Sequence, residues 1–109
     1  MEEINVSAAI VTYNSNETAL NALKSLKNNT KRYPLSVFIF DNGSTDNTVS
    51  LLEDTNLAKV VKTGKNLGFG KAHNLSLNEK LGKYHFVVNP DIVLNSDALS
   101  DTVDYMEKN

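Results

Sequence analysis

Two aspartates stand where apolar runs end. Asp41 closes "VFIFD" and opens "NGSTDNT", and Asp91 closes "VVNPD". A carboxylate on the last step of a strand can accept two hydrogen bonds, which suits a ribose hydroxyl or a base N–H. A turn aspartate before "NGS" is the other reading of Asp41. In "NPD", Pro90 fixes the bend between Asn89 and Asp91. An amide oxygen beside a carboxylate suits a hard divalent cation, Mn2+ or Mg2+, that also binds phosphate oxygens. A proline turn with a surface aspartate is the alternative there.

A third segment, "GKNLGFGKAHN", carries Gly68, Gly70 and Lys71. It is no P-loop, because neither Ser nor Thr follows the lysine. It is no dinucleotide fingerprint, because the third glycine is missing. Its glycines either let the backbone approach a nucleotide or simply make a tight turn. Tyr13, in "VTYN", could stack on a base or belong to the core. Asp46 precedes an apolar pattern and reads as a helix N-cap. His73 and His85 fit no common metal spacing, and His85 reads as a packed strand residue.

The elements that must position these residues are legible from periodicity. Residues 4–13, 36–40, 57–63 and 84–89 read as strands, and the nearly continuous apolar runs of the first two suit strands buried on both faces. Residues 92–94, "IVL", read as a short continuation of the last strand. Ala19, Leu20, Leu23 and Leu26 share one helical face over 16–29, capped by Asn14 or Ser15. A helix follows Asp46 through Leu52. Another runs from the glycine loop to Leu81, with Ala72, Leu75 and Leu81 inward and Gly82 as its stop. The last is capped by Ser96 and places Leu99, Val103 and Met106 at i, i+4 and i+7. Strands alternating with helices predict an α/β fold with a mostly parallel sheet and helices on both faces. In such sheets ligands bind outside the carboxyl ends of the strands, where all these loops lie.

Composition narrows the chemistry. The 109 residues suffice for one small domain, 40% of them hydrophobic and 22% charged. A net charge of −2 gives no case for nucleic acid as partner. Cysteine is absent, so disulfides, thiolate metal sites and thiol catalysis are excluded. No apolar run approaches the roughly 20 residues of a membrane span. The acidic start "MEEINVS" does not read as a secretory signal, so the expected location is the cytoplasm.

"VTYN", "DNGSTDNT", "NLGFGKAHN" and "VVNPDIVL", in this order and each after its own strand, resemble the nucleotide-binding half of family 2 glycosyltransferases of the Rossmann-like GT-A fold. The likeness is greatest to rhamnosyltransferase-like members that build surface polysaccharides, and it covers essentially the whole chain. It implies transfer of a sugar, with rhamnose the favoured candidate, from a UDP- or dTDP-type donor to a glycan or lipid-linked acceptor. It implies that Thr12 and Tyr13 lie against the base. Asp41 would hold base or ribose, with Asn42 and Ser44 shaping the loop. Asn66, Gly68 and Lys71 would border the nucleotide, with Asn74 supporting that wall. Asp91, with Asn89, would hold the divalent cation that bridges the diphosphate.

Two departures stand out. The usual D-x-D pair is here Asn-Pro-Asp, one carboxylate short, so metal affinity is expected to be modest. The acceptor-binding half, which carries the general base, has no counterpart in these residues. The expectation is therefore a donor-binding portion that does not turn over alone, reaching a membrane face only through other parts or partners. Three other readings compete with this one. A receiver domain would need paired acidic residues after the first strand, where "TYN" stands. A sugar-nucleotidyltransferase would need a glycine-rich basic loop there. A non-catalytic nucleotide-binding module shares every motif.

Overall fold

A computed structural model describes residues 3–109. The strands are β1 (Val6–Thr12), β2 (Leu35–Asp41), β3 (Lys59–Lys62) and β4 (Tyr84–Val88), and the helices are α1 (Asn16–Asn29), α2 (Thr48–Glu53), α3 (Phe69–Asn74) and α4 (Ala98–Lys108). All pairings are parallel, in the order β3-β2-β1-β4. The chain therefore steps outward from β1 through β2 to β3, then crosses back to the other side of β1. Reversing the direction of travel under right-handed crossovers requires the next helix to change faces.

The packing follows that rule. Val6, Ala8 and Ile10 of β1 alternate onto one face, with Ala19, Ala22, Leu23 and Leu26 of α1, Leu52 of α2, and Leu99 and Val103 of α4. Ala9 and Val11 point the other way, against Phe38, Phe40 and Ala72 of α3. Every residue of β1 is buried, as befits the strand with neighbours on both sides and helices on both faces. Each fully buried Leu or Ile in the larger cluster contributes roughly 1.5–3 kcal/mol of apolar transfer.

Four local expectations are corrected. Residues 92–94 form no strand. Ile92 N donates to the Asn89 carbonyl in a turn, and Leu94 is held against α1 by Ser25 Oγ and Asn29 Nδ2. The helix expected to reach Leu81 ends at Asn74 and passes into a 3-10 turn over Leu75–Asn78. Gly82 is consequently no helix stop. A Cβ there would lie 2.4 Å from the Asn5 carbonyl oxygen, so glycine is needed for the chain to pass against the start of β1. α4 differs as well: its N-cap is Asp97 rather than Ser96, and Met106 is exposed because the helix buries only Leu99, Ser100 and Val103.

Beneath α3, His73 is buried and neither ring nitrogen has a hydrogen-bond partner among the described residues. His85 lies in β4 as expected, its Nδ1 2.8 Å from Ser7 Oγ. Burial lowers the pKa of His73, with the nearby His85 adding to the effect, and burial likewise lowers that of His85. Groups that fold neutral favour protonation in the unfolded chain. Stability should hold above the unfolded histidine value of about 6.5 and fall as pH drops below it toward the folded values. Urea midpoints compared at acid and neutral pH should show this loss, and His73→Leu should reduce it. An unchanged pH slope in the mutant would mean His73 titrates alike in both states.

Candidate functional site

The reversal of chain direction makes the carboxyl ends of β1 and β4 the topological switch point, where open parallel sheets bind ligands. Thr12 and Asp41 end β1 and β2 as register partners. Both are buried, with Asp41 only 2% exposed. A carboxylate so placed must be satisfied from within. Thr12 Oγ1 donates to Asp41 Oδ1 at 2.7 Å, Ser44 Oγ to the same oxygen at 2.5 Å, and Ser44 N to Oδ2 at 2.8 Å. Asp41 thus folds its own loop back on itself, through Gly43 at φ 86°.

Asn42 ties this loop to the glycine loop. It is buried, its N–H donates to the Thr12 carbonyl, and its Nδ2 donates to the Gly68 carbonyl at 3.3 Å. Its Oδ1 accepts from Leu67 N. Asn66 Oδ1 accepts from Gly68 N at 2.8 Å, holding Gly68 at φ 82° just before α3. Tyr13, Asn66, Gly68, Lys71 and Asn74 are exposed around this rim. Across the switch point, Asn89 and Asp91 follow β4 on the same edge and are exposed too. Thr12, Asp41, Asn42, Ser44, Asn66 and Gly68 are therefore brought into one network, whereas Tyr13, Lys71, Asn89 and Asp91 border it without joining it. Among the described residues no group of three or more metal-capable acidic or histidine side chains occurs.

Sequence reasoning offered Asn14 as a cap for the first helix but missed its part in joining the loops, and it missed Thr48. The residue at the N-cap of α1 is Ser15, but no side-chain cap forms. Instead Thr48 Oγ1, at the start of α2, accepts from Asn16 N at 2.8 Å. Asp46 Oδ1 in turn accepts from Thr48 N at 2.9 Å and from the Thr48 hydroxyl. Asp46 therefore serves the first turn of α2, although the N-cap position itself is Asn47. The Thr48 hydroxyl, followed by its backbone N–H, holds the Asp46 carboxyl below its usual range. Asn14 sits at φ 50° and bonds to three residues of the loop after β2. The available signal was the repeated asparagine of "YNSN", a residue type that tolerates left-handed backbone.

Thr12→Val should leave the shape of β1 unchanged while removing one of three donors to a buried carboxylate. The expected loss of stability is about 1–3 kcal/mol, the cost of leaving a buried polar group short of a partner. Urea denaturation measures it, and a loss below a few tenths of a kcal/mol would show that Asp41 finds another donor.

Residues 7–109 match the family described as Glycosyl transferase family 2. An uncharacterized glycosyltransferase of Haemophilus influenzae is 30% identical over 95% of this chain and 33% of its own length. Another, of Rickettsia conorii, is 29% identical over all of this chain and 18% of its own. The chain thus spans a third or less of the curated relatives it matches. Among solved structures, residues 1–349 of S. aureus TarS superpose with a TM-score of 0.83 at 27% identity, covering 96% of this chain and 33% of that fragment, which has also been solved with UDP-GlcNAc. The Pyrobaculum calidifontis mannosyltransferase PcManGT, solved with GDP-Man and Mn2+, superposes at 0.85 over 97% of this chain and 33% of its own. At 22% identity that second likeness speaks to the fold alone. With the match running from the second residue of β1 to the end of α4, the chain belongs to glycosyl transferase family 2.

Proposed function

We propose that this chain forms the donor-binding part of a glycosyltransferase, holding a nucleoside diphosphate sugar across the carboxyl ends of β1, β2 and β4. The observation that carries the reading is the buried Asp41 clamp at the carboxyl end of β2, on the same sheet edge as the switch point and the Asn89–Asp91 turn. Asp41 holds in place the Asn42–Ser44 backbone, which with Thr12–Tyr13 recognises base and ribose. Asn66, Gly68 and Lys71 line the nucleotide. The TarS complexes with UDP and UDP-GlcNAc favour a pyrimidine nucleoside diphosphate of UDP or dTDP type. The sequence motifs favour rhamnose as sugar and a glycan or lipid-linked acceptor of surface polysaccharide.

In the reaction the acceptor hydroxyl oxygen bonds to the anomeric carbon as the bond from that carbon to the diphosphate oxygen breaks. The hydroxyl proton passes to a base contributed from outside these residues. A divalent cation, Mn2+ or Mg2+, would neutralise charge on the departing diphosphate, a contribution of several kcal/mol in order of magnitude. The donor set fits such an ion only in part. Asp91 offers one carboxylate and Asn89 a neutral amide oxygen, so substrate phosphates and water must complete the shell.

Thermal melting with UDP, dTDP and GDP, each with and without manganese, tests the reading. A cognate nucleotide at 100 times its dissociation constant should stabilise the fold by about 2.7 kcal/mol. No shift with any of them would remove the proposal. Metal and nucleotide should each tighten the other by the same factor. Asp91→Ala should abolish that coupling and leave metal-free nucleotide affinity nearly intact. A mutant that keeps the full metal effect would make Asp91 a turn residue.

A further inference from the structure

We infer that Asn14, the one polar residue of "VTYN" given no part in donor recognition above, is the positioning residue that presets the Asp41 loop for the donor. The inference rests on the donor-site reading and goes one step beyond it. Asn14 holds a left-handed backbone at φ 50°. In that conformation its N–H donates to Ser44 Oγ at 2.8 Å, and the Ser44 hydroxyl donates onward to Asp41 Oδ1 at 2.5 Å. A relay of two hydrogen bonds therefore runs from the loop after β1 to the buried carboxylate. The side chain completes the clamp. Asn14 Oδ1 accepts from Thr45 N at 2.8 Å and Asp46 N at 3.3 Å, with the Thr45 hydroxyl at 3.4 Å. These are the amides of a polar loop with no strand partner of its own.

Two requirements meet at this position: a residue at ease with positive φ, and a short side chain with an acceptor oxygen. Asparagine and aspartate meet both, glycine only the first, and alanine neither. With Asn14 in place, the loop after β2 is ordered before a nucleotide arrives, and binding does not bear the cost of ordering it. A second relay of the same form, Asn16 N–H to Thr48 Oγ1 and the Thr48 hydroxyl to Asp46, joins the same two loops where α1 and α2 begin. That relay supports the helices. The Asn14 relay ends on the buried carboxylate that holds the proposed donor loop.

The test compares Asn14→Gly, which keeps the backbone conformation and loses the acceptor, with Asn14→Asp, which keeps both. UDP, dTDP and GDP are titrated calorimetrically without metal, and amide hydrogen exchange is followed at Thr45 and Asp46. The glycine variant should bind the preferred nucleotide roughly tenfold more weakly, the scale for losing two modest hydrogen bonds. Its Thr45 and Asp46 amides should exchange faster while the β1 and β2 amides stay protected. The aspartate variant should restore both. A glycine variant that melts earlier yet binds like wild type would overturn the inference and leave the donor site standing, as would an aspartate variant that fails to restore binding. Failure of the wild type itself to bind any of the three would overturn the donor reading, and this inference with it.

Discussion

A buried carboxylate that must be satisfied governs the upper edge of this sheet. Asp41 is sealed beneath its own loop, and an unpartnered charge there would cost several kcal/mol. Its donors come from two directions: Thr12 across the β1–β2 register, and Ser44 three residues on. The register matters because a one-residue slip would turn Thr12 to the opposite face and remove its hydroxyl from reach. The turn matters because Ser44 reaches back from a Gly43 at positive φ, a conformation that L side chains rarely adopt. Strand pairing, turn conformation and the neighbouring glycine loop are thus constrained by one ion.

The same arrangement explains why the loops are rich in small neutral hydrogen-bonding residues. Thr12, Asn14, Asn42, Ser44, Thr45 and Thr48 link one loop to the next, and Asn66 braces the glycine loop from within. Neutral donors satisfy a buried carboxylate without bringing a second desolvated charge beside it. The ion pairs lie elsewhere. Arg32 with Asp97 and Asp101, and Lys83 with Glu107, join the chain to α4 on exposed surface, where such pairs contribute little.

Much of the fold was legible because long apolar runs leave few choices. β1 and β2 read as doubly covered strands, and they are the two inner strands of the sheet. The errors fall where tertiary contacts override local pattern. "IVL" has strand composition, yet Pro90 turns the chain and side chains of α1 hold Leu94 in an extended path with no strand neighbour. Gly82 looked like helix punctuation because a close approach between two backbones leaves no periodic mark. Met106 fitted a heptad, but the core ends before α4 does. Within the site, the carboxylates announced themselves by their place at strand ends. Asn14 did not, since its partners lie about thirty residues away and its left-handed backbone has no signature beyond being asparagine.

The crossing from β3 back to β1 divides the crevice by sequence separation. The Thr12–Asp41 contact spans 29 residues, whereas the Ser7–His85 contact that accompanies β1–β4 pairing spans 78. Chain-closure entropy distinguishes the two by only roughly 1 kcal/mol, so the longer excursion is inexpensive at equilibrium. Its weight falls on kinetics, where distant pairings form late. The Asp41 side of the crevice is thus closed over a short excursion, and the Asn89–Asp91 side takes shape only where β4 completes the long one.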